Sequence, residues 1–164
     1  MAFDAFLQID GIPGECTDDG HKNWIELNSF AHSMEQPASS SGSNAGGATA
    51  ERVNIDPFTI VHPVDKASPK FYEACCTGKV LPTAIIQLHR AGGSKMMYAQ
   101  ISMKNVVITS VQYGGASGDD FPSETVVLTA SSYVWQYNQQ DKTSGSSLGS
   151  VSTGWDLAAN KTTM

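Results

Sequence analysis

Four histidines and three cysteines are the residues of this sequence best suited to metal or nucleophilic chemistry. His21 lies close after Asp18 and Asp19, so the three side chains could form an acid–base or metal cluster. The same D-D-G-H run is typical of a turn, in which aspartate provides local hydrogen bonds and glycine provides backbone freedom. We therefore interpret this run as a turn.

The other histidines stand singly in strand-like segments. His32, His62 and His89 show neither H-x-H nor H-E-x-x-H spacing. Cys75 and Cys76 are adjacent, and side chains of neighbouring residues diverge too far for a well-formed disulfide. A C-x-x-C pair is also missing. We therefore predict reduced thiols, and we predict no catalytic residue, no metal site and no cofactor.

One glycine-rich run and three tryptophans complete the candidates for a binding site. The G-G-S-K run at residues 92–95 lacks the spacing of a phosphate loop and precedes a strand rather than a helix. We interpret it as a hairpin turn. Trp24, Trp135 and Trp155 could form a platform for sugars, although packing in a core or an interface is the commoner role of such rings.

The elements that would position these residues are mostly β-strands. Short runs rich in β-branched and aromatic residues predict strands over residues 3–9, 22–34, 53–63, 82–90, 96–113 and 123–139. Residues 141–154 are typical of a loop or an edge strand. Within 22–34 the apolar positions change from odd to even numbers, so we expect a bulge or bend near Asn28 or Ser29.

One segment has the signals of a helix. In S-P-K-F-Y-E-A-C-C-T-G-K, Ser68 is a suitable N-cap, Pro69 suits the first turn and Gly78 suits the C-terminal stop. Many strands with one helix predict a single domain over residues 1–164. Its expected fold is mainly β: a closed or nearly closed β-barrel of two packed sheets, with the short α-helix against one side.

A long serine- and glycine-rich segment covers residues 36–52 and has no apolar period. It is either a surface loop on its own or a loop that a partner subunit orders, because loops of this length are uncommon in compact domains. The part that we expect to lie between subunits comprises Ser39, Ser40, Ser41, Gly42, Ser43, Asn44, Ala45, Gly46 and Gly47.

The charge balance limits the partners of the protein. The 164 residues carry 10 Lys and Arg against 16 Asp and Glu, a formal net charge of −6. Nucleic-acid binding needs an excess of positive charge, so we exclude it. No segment is apolar over the roughly 20 residues that span a bilayer, so we expect no membrane association. The N-terminus lacks a basic n-region, so we expect synthesis in the cytoplasm and, if the protein is secreted, export without a Sec signal peptide.

Ordered motifs along the whole chain resemble one family. The opening D-A-F-L-Q-I-D-G-I-P-G-E from Asp4 resembles the pattern D-x-F-L-x-I-D-G-I-x-G-E. A-C-C-T-G-K from Ala74, R-A-G-G from Arg90 and G-W-D-L-A-A-N from Gly154 follow in the expected order. This set is similar to the Hcp family, the haemolysin-coregulated proteins of bacterial type VI secretion. Cys16, Cys76, Phe30 and His32 depart from the family's usual residues.

The resemblance implies a structural protein rather than an enzyme. Members of the family form hexameric rings that stack into a tube like that of a phage tail. The tube lies inside a contractile sheath, carries a VgrG-type spike at its tip and is propelled into a target cell, while the ring lumen can hold effector proteins. By the same resemblance, the small side chains that alternate with bulky ones in residues 29–34 line the lumen, namely Ser29, Ala31 and Ser33.

Three other interpretations stay open on the sequence. A phage tail-tube protein would share the fold and the ring. A monomeric carbohydrate-binding β-sandwich would use the tryptophans. An effector enzyme fused to the tube fold is the least favoured, since the sequence ends at Met164 without a further domain.

Overall fold

The computed structural model describes residues 3–37, 52–90, 96–141, 143–144 and 146–163. Twelve strands and one helix occur in these residues. The strands are β1 (Phe3–Ile9), β2 (Ile25–Leu27), β3 (Ser29–Ala31), β4 (Met34–Glu35), β5 (Asn54–Ile55), β6 (Phe58–Pro63), β7 (Val80–Arg90), β8 (Met97–Gly114), β9 (Ser123–Thr129), β10 (Ser132–Gln140), β11 (Ser147–Asp156) and β12 (Lys161–Thr162), and the helix α1 (Ser68–Thr77) lies between β6 and β7.

The mainly β fold with one short helix is confirmed, but the predicted closed barrel of two packed sheets is not. Ten strands belong to one antiparallel sheet. Seven of them follow in the order β12-β11-β10-β8-β7-β1-β2, and the other three, β9, β6 and β3, lie off this path, while β4 and β5 form a separate two-stranded ribbon. The sheet differs from the predicted barrel because β8 is long enough to pair with two different strands along the same edge. Its residues from Ala99 to Lys104 pair with β10, whereas those from Val107 to Gly114 pair with β9. The sheet therefore branches at β8, and β9 leads on to β6 and β3.

The predicted bend at Asn28 is confirmed. β2 pairs with β1, whereas β3 pairs with β6, and the backbone N–H of Asn28 donates to Val61. The change of partner lets Ile25 and Leu27 enter the core from one side of the bend and lets Phe30 pack against the core from the other. The parity flip in the sequence thus marks the point where one segment changes neighbours.

The segment 123–139 is two strands and not the single strand that we predicted. Val126 and Leu128 are buried in β9, but the next large buried residue is Tyr133, an odd position, in β10. At the break, the backbone N–H of Ser131 donates to Lys104, and the backbone N–H of Ala130 donates to the Tyr133 hydroxyl. The two strands pair with two different sections of β8. This pairing could not be predicted from the local sequence pattern.

The helix begins one residue earlier than the predicted cap requires. Ala67, not Ser68, is the N-cap residue, and Asp65 accepts a hydrogen bond from the Ala67 backbone N–H. Ser68 is buried and accepts a hydrogen bond from the backbone N–H of Asp65 instead. Gly78 ends the helix in the left-handed conformation at φ 63°, as predicted.

The core lies between α1, β1, β6, β7, β9 and the middle of β8. Strict alternation puts Phe58, Ile60 and His62 of β6 inside, because successive side chains of a strand point to opposite faces. The predicted hairpin between β7 and β8 is confirmed by its antiparallel pairing, although its turn lies outside the described residues. Among the described residues, no helix is long and apolar enough to cross a membrane.

Candidate functional site

The predicted lumen residues lie together on the segment that runs from β3 to β4. Ser29, Ala31 and Ser33 are exposed, whereas Phe30 and His32 between them are half-buried. The alternation therefore holds as far as His32, but Met34, which we expected on the bulky, inward set, is 49% exposed. Nothing in a single chain tests whether the small side chains face a lumen, so that assignment stays a prediction.

Ser33 and Asp56 connect this segment to the short turn between β5 and β6. The Ser33 hydroxyl donates to the Asp56 carboxylate, and the Asp56 backbone N–H donates to the Ser33 carbonyl at 3.0 Å. Next to them, Met34 pairs with Ile55 in the ribbon of β4 and β5. The nine residues that we predicted to lie between subunits, from Ser39 to Gly47, lie outside the described residues.

His32 sits in an aromatic stack behind the exposed serines. Its ring lies 5.0 Å from the ring of Phe58 and 5.2 Å from that of Tyr133. Neither ring nitrogen has a hydrogen-bond partner in the described part of the chain. Burial lowers the pKa of His32 below the usual histidine value, and the nearby Asp56 carboxylate opposes this effect less strongly. His32 is therefore a neutral packing residue at pH 7, which sequence reasoning could not establish.

The predicted turn is present around His21, and the His21 side chain is buried in it. Its Nδ1 lies 3.0 Å from Asp18 Oδ1 and its Nε2 lies 2.9 Å from Gln87 Oε1. The imidazole stacks on Phe6 with centroids 4.1 Å apart and meets the His89 ring at 4.5 Å. Within the described residues, no group of three or more histidine, cysteine, aspartate or glutamate side chains could hold a metal ion.

Sequence reasoning missed a buried polar group beneath α1. His62 Nε2 lies 2.8 Å from Glu124 Oε1, an ion-pair distance without hydrogen-bond geometry, and both side chains are fully buried. The Tyr72 hydroxyl donates to the other Glu124 oxygen at 2.8 Å. Burial and this contact with Glu124 raise the pKa of Tyr72 to about 12. Burial likewise raises the pKa of the neighbouring Asp65 carboxyl. These side chains connect α1 to β6 and β9. Because His62 and Glu124 are fully buried, we assign the group a structural role.

The most unusual surface lies on β10 and β11. Tyr133, Trp135 and Tyr137 alternate along β10 and so share one face, and the rings of Tyr133 and Trp135 stack at 5.7 Å. Tyr133 is buried and Trp135 packs against the core, but Tyr137 is 53% exposed. Its cross-strand partner Val151 is 74% exposed. The core-facing side of the sheet thus continues beyond the core as an apolar strip.

The three tryptophans are divided between two places, so they do not form the single sugar platform that the sequence left open. Trp24 meets the ring of His21 edge-on at 4.9 Å. Trp135 and Trp155 line a cavity of about 260 Å³ together with residues of β4, β5 and β11. The cysteines are free thiols as predicted: Cys16 is buried, Cys75 half-buried and Cys76 exposed.

Known proteins resemble the chain over almost its entire length. Residues 6–137 match the family model described as "Type VI secretion system effector, Hcp". Protein hcp1 of Pseudomonas aeruginosa is 32% identical over 161 residues, which cover 98% of each chain.

Solved structures agree with this match. A type six secretion system protein has a TM-score of 0.92 at 29% identity, with 98% of this chain and 99% of that chain covered. Hcp1 from Salmonella typhimurium has a TM-score of 0.80 at 31% identity, with 99% of each chain covered. The ordered motifs, the mainly β fold and the family model therefore agree, and this chain belongs to the Hcp family of type VI secretion tube and effector proteins.

Proposed function

We propose that this protein is a structural subunit of the inner tube of a type VI secretion system. Six copies form a ring, and rings stack into a tube that is propelled out of the cell. The observation that carries the proposal is the apolar strip from Trp135 to Tyr137 and Val151, which leaves the core and has no cover in the described chain. A contiguous apolar surface of this kind marks a protein interface.

The shape of the chain supports a ring rather than a two-fold dimer. A ring needs two different surfaces on each copy, one for each neighbour, whereas a two-fold dimer uses the same surface twice. The strip on β10 and β11 is one such surface. Two exposed aromatic residues belong to a different one: Tyr113 near the far end of β8 and Phe121 in the loop that follows it.

Membership of the Hcp family supports the partners that we propose for the ring. In this proposal the tube carries a VgrG-type spike, lies inside a contractile sheath and holds effector proteins in its lumen. The subunits are made in the cytoplasm and reach the outside or a target cell through the secretion apparatus. Uncharged Ser29, Ala31 and Ser33 line the lumen, where their small side chains leave room for cargo.

Light scattering at micromolar concentration tests the assembly. We expect the mass of six copies and, in electron micrographs, rings with a central hole. The mass of one copy would reject the proposal.

A substitution at the lumen tests the cargo role. Ala31→Gln should leave folding and ring formation intact because Ala31 is exposed, but it should reduce co-purification of an effector. Phe30→Ala is the control on the other face of the segment. Phe30 is half-buried and stacks on Phe58, so its loss should cost about 1–2 kcal/mol of stability, less than for a fully buried ring. Unfolding by Ala31→Gln would show that the faces are inverted.

Replacement of residues 39–47 by a short turn tests the predicted loop between subunits. Glycine and serine lose much backbone freedom on ordering and bury little apolar surface, so a partner must supply the free energy that orders such a loop. The variant should keep the thermal stability of the isolated domain and assemble less readily. Unchanged ring and tube formation would remove the loop from the interface.

A further inference from the structure

A row of hydrogen-bonded side chains crosses the sheet on the face away from the core. Phe6, Gln87 and Gln100 are cross-strand neighbours on β1, β7 and β8. The Gln87 Nε2 donates to Gln100 Oε1 at 2.8 Å, and the Gln100 Nε2 donates to Ser102 Oγ at 3.1 Å. At the other end of the row, Gln87 Oε1 lies 2.9 Å from His21 Nε2. We call this continuous chain of hydrogen bonds, from His21 through Gln87 and Gln100 to Ser102, the amide ladder.

Both ring nitrogens of His21 face acceptor atoms in this arrangement. Nδ1 lies 3.0 Å from the Asp18 carboxylate oxygen, and Nε2 meets the side-chain carbonyl oxygen of Gln87. A neutral imidazole carries one N–H and one lone pair in the plane of its ring, so it can donate to only one of these oxygens. The arrangement in the structure is therefore that of a His21 ring protonated on both nitrogens.

The groups around the His21 ring act on its charge in opposite directions. The ring is buried, and burial by itself disfavours the charged form. Asp18 on the same turn favours it, and so does the face of the Phe6 ring, which lies parallel to the imidazole at 4.1 Å. Asp4 of β1 and Glu26 of β2 line a hollow together with Asp18 and add negative charge on that side.

Two further titratable groups belong to the same corner of the molecule. The His89 ring of β7 lies edge-on to His21 at 4.5 Å, and its Nε2 is 3.4 Å from the same Gln87 oxygen. Two charged imidazoles at this distance would repel each other, so at most one of the two rings carries the charge. Lys22, next to His21 in the sequence, is exposed to solvent. The opposing contributions leave both protonation states of His21 accessible to the folded protein.

The neutral ring has a second, self-consistent arrangement with the same neighbours. When His21 Nε2 gives its proton to water, it becomes an acceptor, and the Gln87 amide satisfies it by rotating through half a turn. Gln87 Oε1 then accepts from the Gln100 amide, and Gln100 Oε1 accepts from the Ser102 hydroxyl. The His21 Nδ1–H continues to donate to Asp18. Every hydrogen bond of the amide ladder is kept, but each runs in the opposite direction.

We propose that His21 and the amide ladder form a proton-operated switch built into the fold. A protonated His21 makes Ser102 the final acceptor of the ladder and leaves its hydroxyl hydrogen free for another partner. A neutral His21 makes Ser102 the first donor of the ladder instead. A proton gained or lost at the turn thus changes the hydrogen-bonding character of a side chain on β8, beside Val134 of β10. The inference does not depend on the assembly of rings.

Solid-state NMR of sedimented, isotope-labelled protein from about pH 5 to about pH 9 tests the switch, because the method works at any assembly size. We expect both ring nitrogens of His21 to be protonated at the low end and only Nδ1 at the high end. The side-chain amide signals of Gln87 and Gln100 should change with the same midpoint as the ring. Gln136 is the control within the chain. It is a cross-strand neighbour of Gln100, but its amide donates to Asn138, so its signal should not follow.

Two variants distinguish coupling through the ladder from a coincidence of midpoints. Asp18→Asn keeps the oxygen that accepts from the Gly20 backbone N–H but removes the charge, so His21 should release its proton about one pH unit lower. The midpoint of the Gln100 amide should move by the same amount. Gln87→Met interrupts the ladder with a side chain of similar length. In that variant His21 should still titrate, whereas the Gln100 amide should no longer respond.

Three results would overturn the inference. The His21 ring of the unmodified protein would keep one protonation state over the whole pH range, or the Gln100 amide would fail to change with it. In Gln87→Met, a Gln100 amide that still follows the pH would show that the signal does not pass along the ladder. A protein that forms no rings would count against the proposed function alone, since the switch lies within one chain.

Discussion

β9 and β11 are both antiparallel strands beside a longer neighbour, yet their surroundings differ. β9 alternates between buried and partly exposed residues, and β6 flanks its other edge. The first seven residues of β11 are all exposed, and β12 pairs only with its last two. Contacts within one chain stabilise β9, whereas β11 has both faces and most of one edge available. The difference supports the proposed assembly, in which β11 and the end of β10 contact a neighbouring subunit.

The largest effect that we expect is a difference in unfolding free energy between substitutions of a core aromatic residue and of one on the apolar strip. Phe58→Ala in the core should lower the free energy of unfolding by about 3–5 kcal/mol, because the ring is fully buried against Phe30 and His32. Tyr137→Ala on the apolar strip should change the stability of the single domain by less than about 0.5 kcal/mol. Chemical denaturation of dilute protein measures both.

The effects on assembly should rank in the opposite order to the effects on stability. At concentrations where rings form, Tyr137→Ala should weaken association more than a core substitution that still folds. Equal loss of monomer stability in the two variants would show that the strip belongs to the core of the chain after all.

The next effect compares a buried with an exposed carboxylate near α1. Glu124→Ala should cost about 3–5 kcal/mol, because it leaves His62 and the Tyr72 hydroxyl without their buried partner. Glu73→Ala removes an exposed contact with Lys70 and should leave the thermal midpoint unchanged within error. Thermal melts of both variants provide the measurement. Similar midpoints would mean that the buried group is not required for the attachment of the helix.

The smallest expected effect is a pH dependence at His32. Burial lowers its pKa in the folded state, so the unfolded chain binds the proton more readily. Its contribution to stability is complete above the unfolded pKa of about 6.5 and is lost progressively as the pH falls below that value. Thermal midpoints of the unmodified protein should therefore fall between pH 7 and pH 5 more steeply than those of His32→Gln. Parallel pH profiles would show that His32 does not titrate with unfolding.

Much of the local structure was predictable because it depends on neighbours in sequence. β1 and the helix lie where their patterns predicted them, and the bend at Asn28 was visible as a parity flip. The split between β9 and β10 was not predictable, because it depends on which section of β8 each strand meets. The pair of His62 and Glu124 joins strands far apart in sequence, so no spacing rule could find it.

The sequence by itself determined the strand-rich composition, the one helix with its glycine stop, the negative charge and the family. These properties follow from residue types and from the period of two along a strand, which are local. Only the tertiary structure decided that the sheet branches at β8, that Trp135 and Trp155 line the same open cavity and that Tyr137 and Val151 extend the core-facing side of the sheet into solvent. The physical reason is that alternation assigns residues to a common face, whereas the strand or subunit that covers the face is set by contacts between distant parts of the chain.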